Sequence, residues 1–524
     1  MIIKKLLSVT LLILMTGVLY PQTVPSTYYL SEKKLSKISD LTPTSNSIID
    51  ILVANSAVWL GTSRGVSKTA DDGESWINYY GNEAFGSDNV SAVGFYDGKI
   101  WAATAHSVEA NGETLPEGTG LKYSTDNGET WQKIPQPIDE QDDTIVVYGI
   151  NRIRALPVTV AINNLAYDVT FTPGTVWIAT FAGGLRKTTD NGVTWQRVVL
   201  PPDYLDEIQP TDTLSFLLQP VAGAFGNESN LNHRIFSVLA IDDTTIYVGT
   251  AGGINKSTDG GISWKKFTHL NQDEPISGNF VVALGYDKVT KWIWAATWKA
   301  EGTSEYYAVS ASSNGGETWQ TFLPGEKAHN FGFKYIDSGF GMEYVHVFAP
   351  TDNGMFTSLN FGSTWVSIKP ERDVITNASI NTSTFYSAAV KKIDSDTYDA
   401  WFGSSDGLAK VRGDISDIYV ASPTLKDKNE TFAFPNPFSP DIKSVRIKYS
   451  CGDTVAPVTI RVFDFNMNLV KTIIQNVTKP ESEYYYQEWD GRDEANKIVP
   501  NGVYFYRIDI GSDEPLFGKI MVLR

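Results

Sequence analysis

The stretch VWIATFAGGLRKTTDNGVTW, from Val176 to Trp195, decides the fold. It reads as a strand over 176–180, a Gly-Gly turn, a second strand over 185–188, and a tight polar turn closed by Trp195. Apolar residues alternate with small or polar ones over short runs punctuated by glycine, which is the period-2 signature of β-structure. The unit recurs along the chain. Its first strand appears as VWLGT (58–62), IWAAT (100–104), VWIAT (176–180), IYVGT (246–250), IWAAT (293–297), VHVFA (345–349) and AWFGS (400–404). The second position is Trp59, Trp101, Trp177, Tyr247, Trp294, His346 and Trp401 in turn. Repeats at this period identify a repeat architecture.

The polar turn appears six times: TADDGESW (69–76), STDNGETW (124–131), TTDNGVTW (188–195), STDGGISW (257–264), SSNGGETW (312–319) and SLNFGSTW (358–365). These resemble the Asp-box, S-x-D-x-G-x-T-W, of the sialidase-type repeat families. Asp71, Asp126, Asp190, Asp259, Asn314 and Asn360 can accept backbone N–H groups inside the turn. Gly73, Gly128, Gly192, Gly261, Gly316 and Gly362 can take positive φ. Trp76, Trp131, Trp195, Trp264, Trp319 and Trp365 are expected to pack between sheets and anchor the outer strands. Six equivalent carboxamides or carboxylates around a ring cannot all serve one active site, so the boxes read as frame.

Four antiparallel strands per unit, repeated radially, predict an all-β chain: a seven-bladed β-propeller over 24–421, then a small Ig-like β-sandwich. A closed ring hides the apolar faces that a linear stack would expose. The seventh unit has AWFGS and LAKVR (408–412) but no Asp-box after it. Its outer strand comes either from the N-terminal lead or locally from 415–420, and closure by the N-terminal lead is the expectation.

Successive box tryptophans are 55, 64, 69, 55 and 46 residues apart, so the units carry unequal insertions. These are 106–118, 135–160, 201–234, 299–307 and 325–341. Each falls on a connection emerging opposite the Asp-box turns, so the long loops are expected to gather on one binding face. Candidate ligand-binding residues there are Arg152, Arg154, His233, Arg234, Trp298, Tyr306 and Tyr307. The acidic run Asp139, Glu140, Asp142 and Asp143 reads as solvent-facing, since no His or Cys accompanies it at metal-ligand spacing. No metal site, cofactor or catalytic residue is expected, and His346 reads as a core residue.

A net charge of −17 makes nucleic acid an unsuitable partner, because nothing would neutralise phosphates. Residues 1–23 read as a signal peptide, with Lys4 and Lys5 before an apolar run, and no later stretch has the length of a membrane helix. The sole cysteine, Cys451, lies far from that signal and forbids an internal disulfide. There is no phosphate loop, H-E-x-x-H or G-x-S-x-G.

After a polar linker, 422–431, short alternating strands fill 432–524. NPFSP (436–440), WDGRD (489–493), NGVYFY (501–506) and KIMVL (519–523) resemble the Ig-like domain of the flagellar hook-cap family and the C-terminal sorting domains of type IX secretion. That resemblance implies delivery to the surface of a Gram-negative bacterium, with secretion machinery as a partner; the alternative is a plain adhesive domain. Among Asp-box families, sialidases carry an R-I-P motif before the first box, which this chain lacks. The xyloglucan-degrading endoglucanases work between two propellers, and this chain has one. The expected function is non-enzymatic binding of extracellular protein or polysaccharide. The alternative is an extracellular glycoside hydrolase of xyloglucanase-like or sialidase-like type, with an envelope assembly factor as a third reading.

Overall fold

The computed structural model describes residues 42–524 except 111, 223–225, 338–342, 375–377, 422–427, 435, 442–443, 453 and 481–484. The expected signal peptide, nearly all of the N-terminal lead and most of the linker lie outside the described residues. The chain divides into two compact units, one of residues 39–422 and one that includes 423–524.

In the larger unit one antiparallel four-strand order repeats seven times among the described residues. The third sheet shows the pattern, with Ala166–Thr172, Thr175–Thr180, Gly184–Thr188 and Gln196–Arg197 each bonded to the next. VWIAT is thus a second strand, covered on both faces, and Trp177, Ile178 and Ala179 are all buried. A strand buried on both sides reads as a continuous apolar run, which explains its conspicuous sequence.

The inner strands are Ile48–Ala54, Asn89–Tyr96, Ala166–Thr172, Ile235–Ala240, Phe280–Tyr286, Gly332–Asp337 and Phe385–Lys392. They neighbour one another in chain order, and the last lies against the first. Ser387 Oγ donates to Ile48 O across that junction at 3.3 Å. The ring therefore closes. The stretch 325–341, expected as an insertion, contains the sixth inner strand.

Each box turn bridges a third and a fourth strand. In the second, Ser124 Oγ donates to Asp126 Oδ1 at 2.8 Å and accepts from Gly128 N at 2.7 Å. Asp126 Oδ1 accepts from Thr130 N at 2.9 Å. Asn127 and Gly128 both have positive φ, 59° and 95°; a Cβ on Gly128 would fall 2.2 Å from the Tyr79 hydroxyl, so only glycine fits. The box tryptophans fill the seams: Trp131 meets Trp59 at 6.2 Å, Trp365 meets Trp294 at 6.1 Å, and Trp76 meets Trp401 at 6.2 Å, all edge to face.

The expected closure by the N-terminal lead is not what forms. Ile415–Tyr419 pairs along its whole length with Leu408–Arg412, so the seventh sheet supplies its own fourth strand. Gly413, at φ 61°, allows a tight hairpin there, and joining adjacent strands has a far smaller loop-closure cost than recruiting a strand from the far end of the chain. The fourth sheet carries an extra outer strand, Glu207–Ile208, against Trp264–Phe267.

The second unit has two sheets. Phe432–Phe434, Val445–Tyr449 and Tyr485–Trp489 form one; Leu469–Lys479, Ala456–Phe463, Gly502–Ile510 and Leu516–Val522 form the other. Both contribute to one core, which includes Tyr449, Trp489, Val458, Ile460, Tyr506, Ile508 and Ile520.

Candidate functional site

The box turns lie at one end of the six sheets that carry them, and strand direction puts the start of every inner strand at the other. Six of the seven inner strands begin with a register irregularity, bracketing Ile49, Ser91, Tyr167, Phe236, Val282 and Tyr386. A bulge sets one residue outside the ladder and re-aims its side chain. Three of these six residues are rings, Tyr167, Phe236 and Tyr386, and they meet Phe280, Trp298 and His329 at this end.

Those rings form a continuous arc. Tyr167 meets Phe236 at 5.2 Å, Phe236 meets Phe280 at 4.6 Å, and Phe280 meets Trp298 at 5.8 Å. Trp298 then meets His329, and His329 meets Tyr386, both at 5.4 Å. Phe181 and Tyr307 flank the arc through Phe236 and Trp298. All eight rings are half-buried, packed edge to face except for the tilted pair Tyr167 and Phe236. Trp298 Nε1 donates to Ala328 O at 2.8 Å, which fixes its plane. A rigid aromatic ledge of this kind loses little entropy when a ligand stacks on it.

One residue deeper, two inner strands carry carboxylates. Asp50 accepts from Ile51 N and from Val93 N of the next sheet, both at 2.9 Å. Asp168 accepts from Val169 N at 2.8 Å and from Val238 N of its next sheet at 2.9 Å. Each therefore ties two inner strands together. Burial raises both carboxyls, and it carries Asp168 to about 7, with the charge of Asp50 adding to the rise.

The sequence candidates divide. Trp298 and Tyr307 belong to the arc, and Tyr306 beside them is exposed, with its hydroxyl 3.3 Å from Thr321 Oγ1. Arg234 lies at one end, its guanidinium 5.8 Å from the Phe181 ring centre, while its Nε donates to Pro220 O at 2.9 Å. His233 is buried, with its two ring nitrogens 3.3 Å from Gln219 O and 3.2 Å from Leu200 O. Burial lowers its pKa, and the ring is packed against the two carbonyls instead of opening on the mouth.

Arg152 and Arg154 do not reach the mouth. Their insertion folds as a hairpin, Ile145–Tyr148 with Asn151–Ala155, joined by Leu217–Leu218. Tyr148 OH donates to Ile262 O, at 2.7 Å, inside the fourth Asp-box, which puts the hairpin on the outer flank. The two arginines are exposed there beside a cleft of about 720 Å³ that Glu228 also lines. The long loops of 135–160 and 201–234 thus wrap the rim instead of gathering at the mouth, because Tyr148, Ile153, Ile208 and Phe216 find an apolar seam there.

The acidic run also divides. Asp139 is buried, bonded to both terminal nitrogens of Arg186 at 2.7 and 2.8 Å. Burial opposes its charge, but the guanidinium outweighs it and holds the carboxyl low. Glu140, Asp142 and Asp143 are exposed, with Asp143 2.7 Å from Arg197. Among the described residues no group of three His, Cys, Asp or Glu side chains has the arrangement of a metal site. Sequence reasoning found Trp298 and Tyr307 but missed Tyr167, Phe236 and Tyr386, single residues outside the repeated motifs whose signal was the second position of an inner strand.

Residues 122–133 match the BNR/Asp-box repeat family. The fold is a β-propeller. A 194-residue stretch is 29% identical to xyloglucanase Xgh74A of Acetivibrio thermocellus, covering 36% of this chain and 20% of that protein. The chain thus matches about a fifth of this curated relative's length. Among solved structures it is similar to PorZ, a surface component of the type IX secretion system of Porphyromonas gingivalis, at 14% identity and TM-score 0.40, covering 91% of this chain and 66% of that one. It is also similar to the GH74 xyloglucanase of Xanthomonas campestris at 12% identity and TM-score 0.49, covering 92% and 67%. No helix among the described residues is long and apolar enough to cross a membrane.

Proposed function

We propose that this chain is an exported, surface-delivered seven-bladed β-propeller that binds an extracellular protein or polysaccharide at its aromatic mouth. The C-terminal unit, read as Ig-like, is its export address. The observation that carries the binding reading is the unbroken ring-to-ring arc from Tyr167 to Tyr386 on the end opposite the Asp-box turns. Such an arc exceeds what a single loop needs for packing, because it is assembled from four different inner strands, the end of a second strand and one connecting segment. Stacking on aromatic faces suits both sugars and side chains. The test is a screen of the purified mature chain against plant and bacterial polysaccharides and envelope proteins, repeated with Trp298→Ala. A hit that survives Trp298→Ala unchanged argues against the mouth as the site.

The 29% identity to a xyloglucanase over 194 residues favours one second reading, a glycoside hydrolase. Asp168, raised to about 7 by burial, has the protonation a general acid needs. Reducing sugar released from xyloglucan by the wild type and not by Asp168→Asn would select that reading over binding alone.

A further inference from the structure

The mouth holds two carboxyl groups that no cation of the protein pairs with among the described residues. Asp50 and Asp168 follow Ile49 and Tyr167, the bulged residues at the mouth, and keep part of their surface open. Their hydrogen-bond donors are main-chain amides and, at 3.4 Å from Asp50, the side chain of Asn330. Neither pairs with a Lys, Arg or His among the described residues. Some other buried carboxylates do have cations, as Asp139 has Arg186 and Asp399 has Arg412, while Asp287 and Glu305 are held by hydroxyl and amide donors. Burying a carboxylate without a counter-charge is costly, and two sharing one channel repel each other.

The rings above them already accept positive charge. Lys327 Nζ lies 4.9 Å from the Tyr307 centre and 5.6 Å from that of Trp298, at one end of the arc. Arg234 sits over Phe181 at the other. Among the described residues no cation lies over the middle rings, Phe236 and Phe280. The negative face of an aromatic ring attracts ammonium and guanidinium groups, and the attraction grows when the cation is shielded from water. His329, the imidazole of the arc, is 2.7 Å from Asp352, which lies outside it.

Building on the binding reading above, we propose that the mouth receives the ammonium or guanidinium of a lysine or arginine carried on an extended segment of a partner protein. The cation sits against Phe236 and Phe280, with the carboxylates of Asp50 and Asp168 supplying the counter-charge. A neutral glycan would satisfy the rings and leave both carboxylates without a counter-charge; a cationic side chain supplies both.

The mature full-length chain tests this by calorimetric titration with hexalysine, hexaglutamate and cellohexaose. Hexalysine is expected to bind, with affinity at least fivefold weaker in Trp298→Ala and in the Asp50→Asn/Asp168→Asn double variant. The control Glu317→Gln, in the fifth Asp-box turn at the opposite end, should change it by less than twofold. A variant-free measurement guards against misfolding: tetramethylammonium chloride should displace hexalysine more effectively than sodium chloride at equal ionic strength. Equal displacement by the two salts, equal affinity in the mouth variants, or no hexalysine binding overturns the inference. If cellohexaose alone binds and depends on Trp298, the cationic inference falls and the binding reading stands. If Trp298→Ala alters the binding of no probe, both fall.

Discussion

Lys410 Nζ donates a 2.9 Å hydrogen bond to the main-chain oxygen of Asp72, joining the last sheet to the Asp-box turn of the first. The same latch recurs where Lys68 reaches Asn127 O at 2.7 Å and Lys256 reaches Gly315 O at 2.9 Å. In each case a third-strand lysine lies over the second-strand aromatic of its own sheet, Trp401, Trp59 or Tyr247. Lys410→Met keeps the aliphatic stem and removes the charged donor. A hydrogen bond to a charged group contributes about 1.5–3 kcal/mol. Urea unfolding should show a loss of that size, and Lys68→Met a similar one; no change for either would mean the latch follows closure without strengthening it.

Closure through a local hairpin makes Ile418 a structural residue. It is 4% exposed and packs in one cluster with Phe402 and Ala409. Ile418→Ala removes buried aliphatic volume that its neighbours cannot refill, at a cost of about 2–5 kcal/mol. Its unfolding midpoint should fall accordingly, whereas Ile415→Ala, at an exposed position of the same strand, should cost far less.

The Asp-box carboxylates give an acid signature. Hydrogen bonds from the Thr130 hydroxyl and amide and from Ser124 hold Asp126 at about 2, and equivalent bonds from Thr194 and Thr188 hold Asp190 at about 2. A depressed carboxyl stabilises the fold above its unfolded pKa of about 3.9 and loses that contribution as pH falls through the folded value. Stability should therefore drop between about pH 4 and pH 2, and less steeply in Asp126→Asn/Asp190→Asn. Asn314 and Asn360 hold the same turns with carboxamides, so the double variant should still fold.

Asp168 gives the opposite slope. Its folded pKa lies near 7, above the unfolded value, so the contribution is whole below about pH 3.9 and is lost as pH rises through 7. The stability of the wild type relative to Asp168→Asn should decline between about pH 4 and pH 7 and stay level above. A difference that is flat over that range would mean the carboxylate already has a counter-charge.

The frame was legible in the sequence because it is made by residues that cannot vary much. VWIAT is buried on both faces, and Gly128 has no room for a side chain. The mouth was legible only in part. Trp298 and Tyr307 stood out as loop aromatics, but Phe236 and Tyr386 are isolated rings whose direction depends on a bulge, and spacing alone does not reveal a bulge. Arg152 misled for a related reason. Connection length places a loop's two ends on a face, while the loop's own apolar residues, here Tyr148 and Ile153, decide where its body packs. The seventh sheet failed on the same scale, because the hairpin at Gly413 is decided by local backbone conformation, not by the repeat.

Asp139 and Arg186 join the second insertion to the third sheet from positions 4% and 2% exposed at the side chain. Val158 N also donates to Asp139 Oδ2, at 2.8 Å, so the carboxylate pins its own loop as well. Asp139→Asn keeps the shape but leaves a buried guanidinium without its counter-charge, and breaking a buried pair on one side costs about 3–5 kcal/mol. Because the attraction within the pair mainly offsets desolvation, replacing both partners should cost less than replacing one. The expected order of stability is wild type or Asp139→Leu/Arg186→Met first, then Asp139→Asn well below both. Hydrogen exchange should report the same loss locally, in the amides of 139–160. If the double variant is as unstable as Asp139→Asn, the bidentate geometry itself holds the loop, and not merely the absence of an unpaired charge.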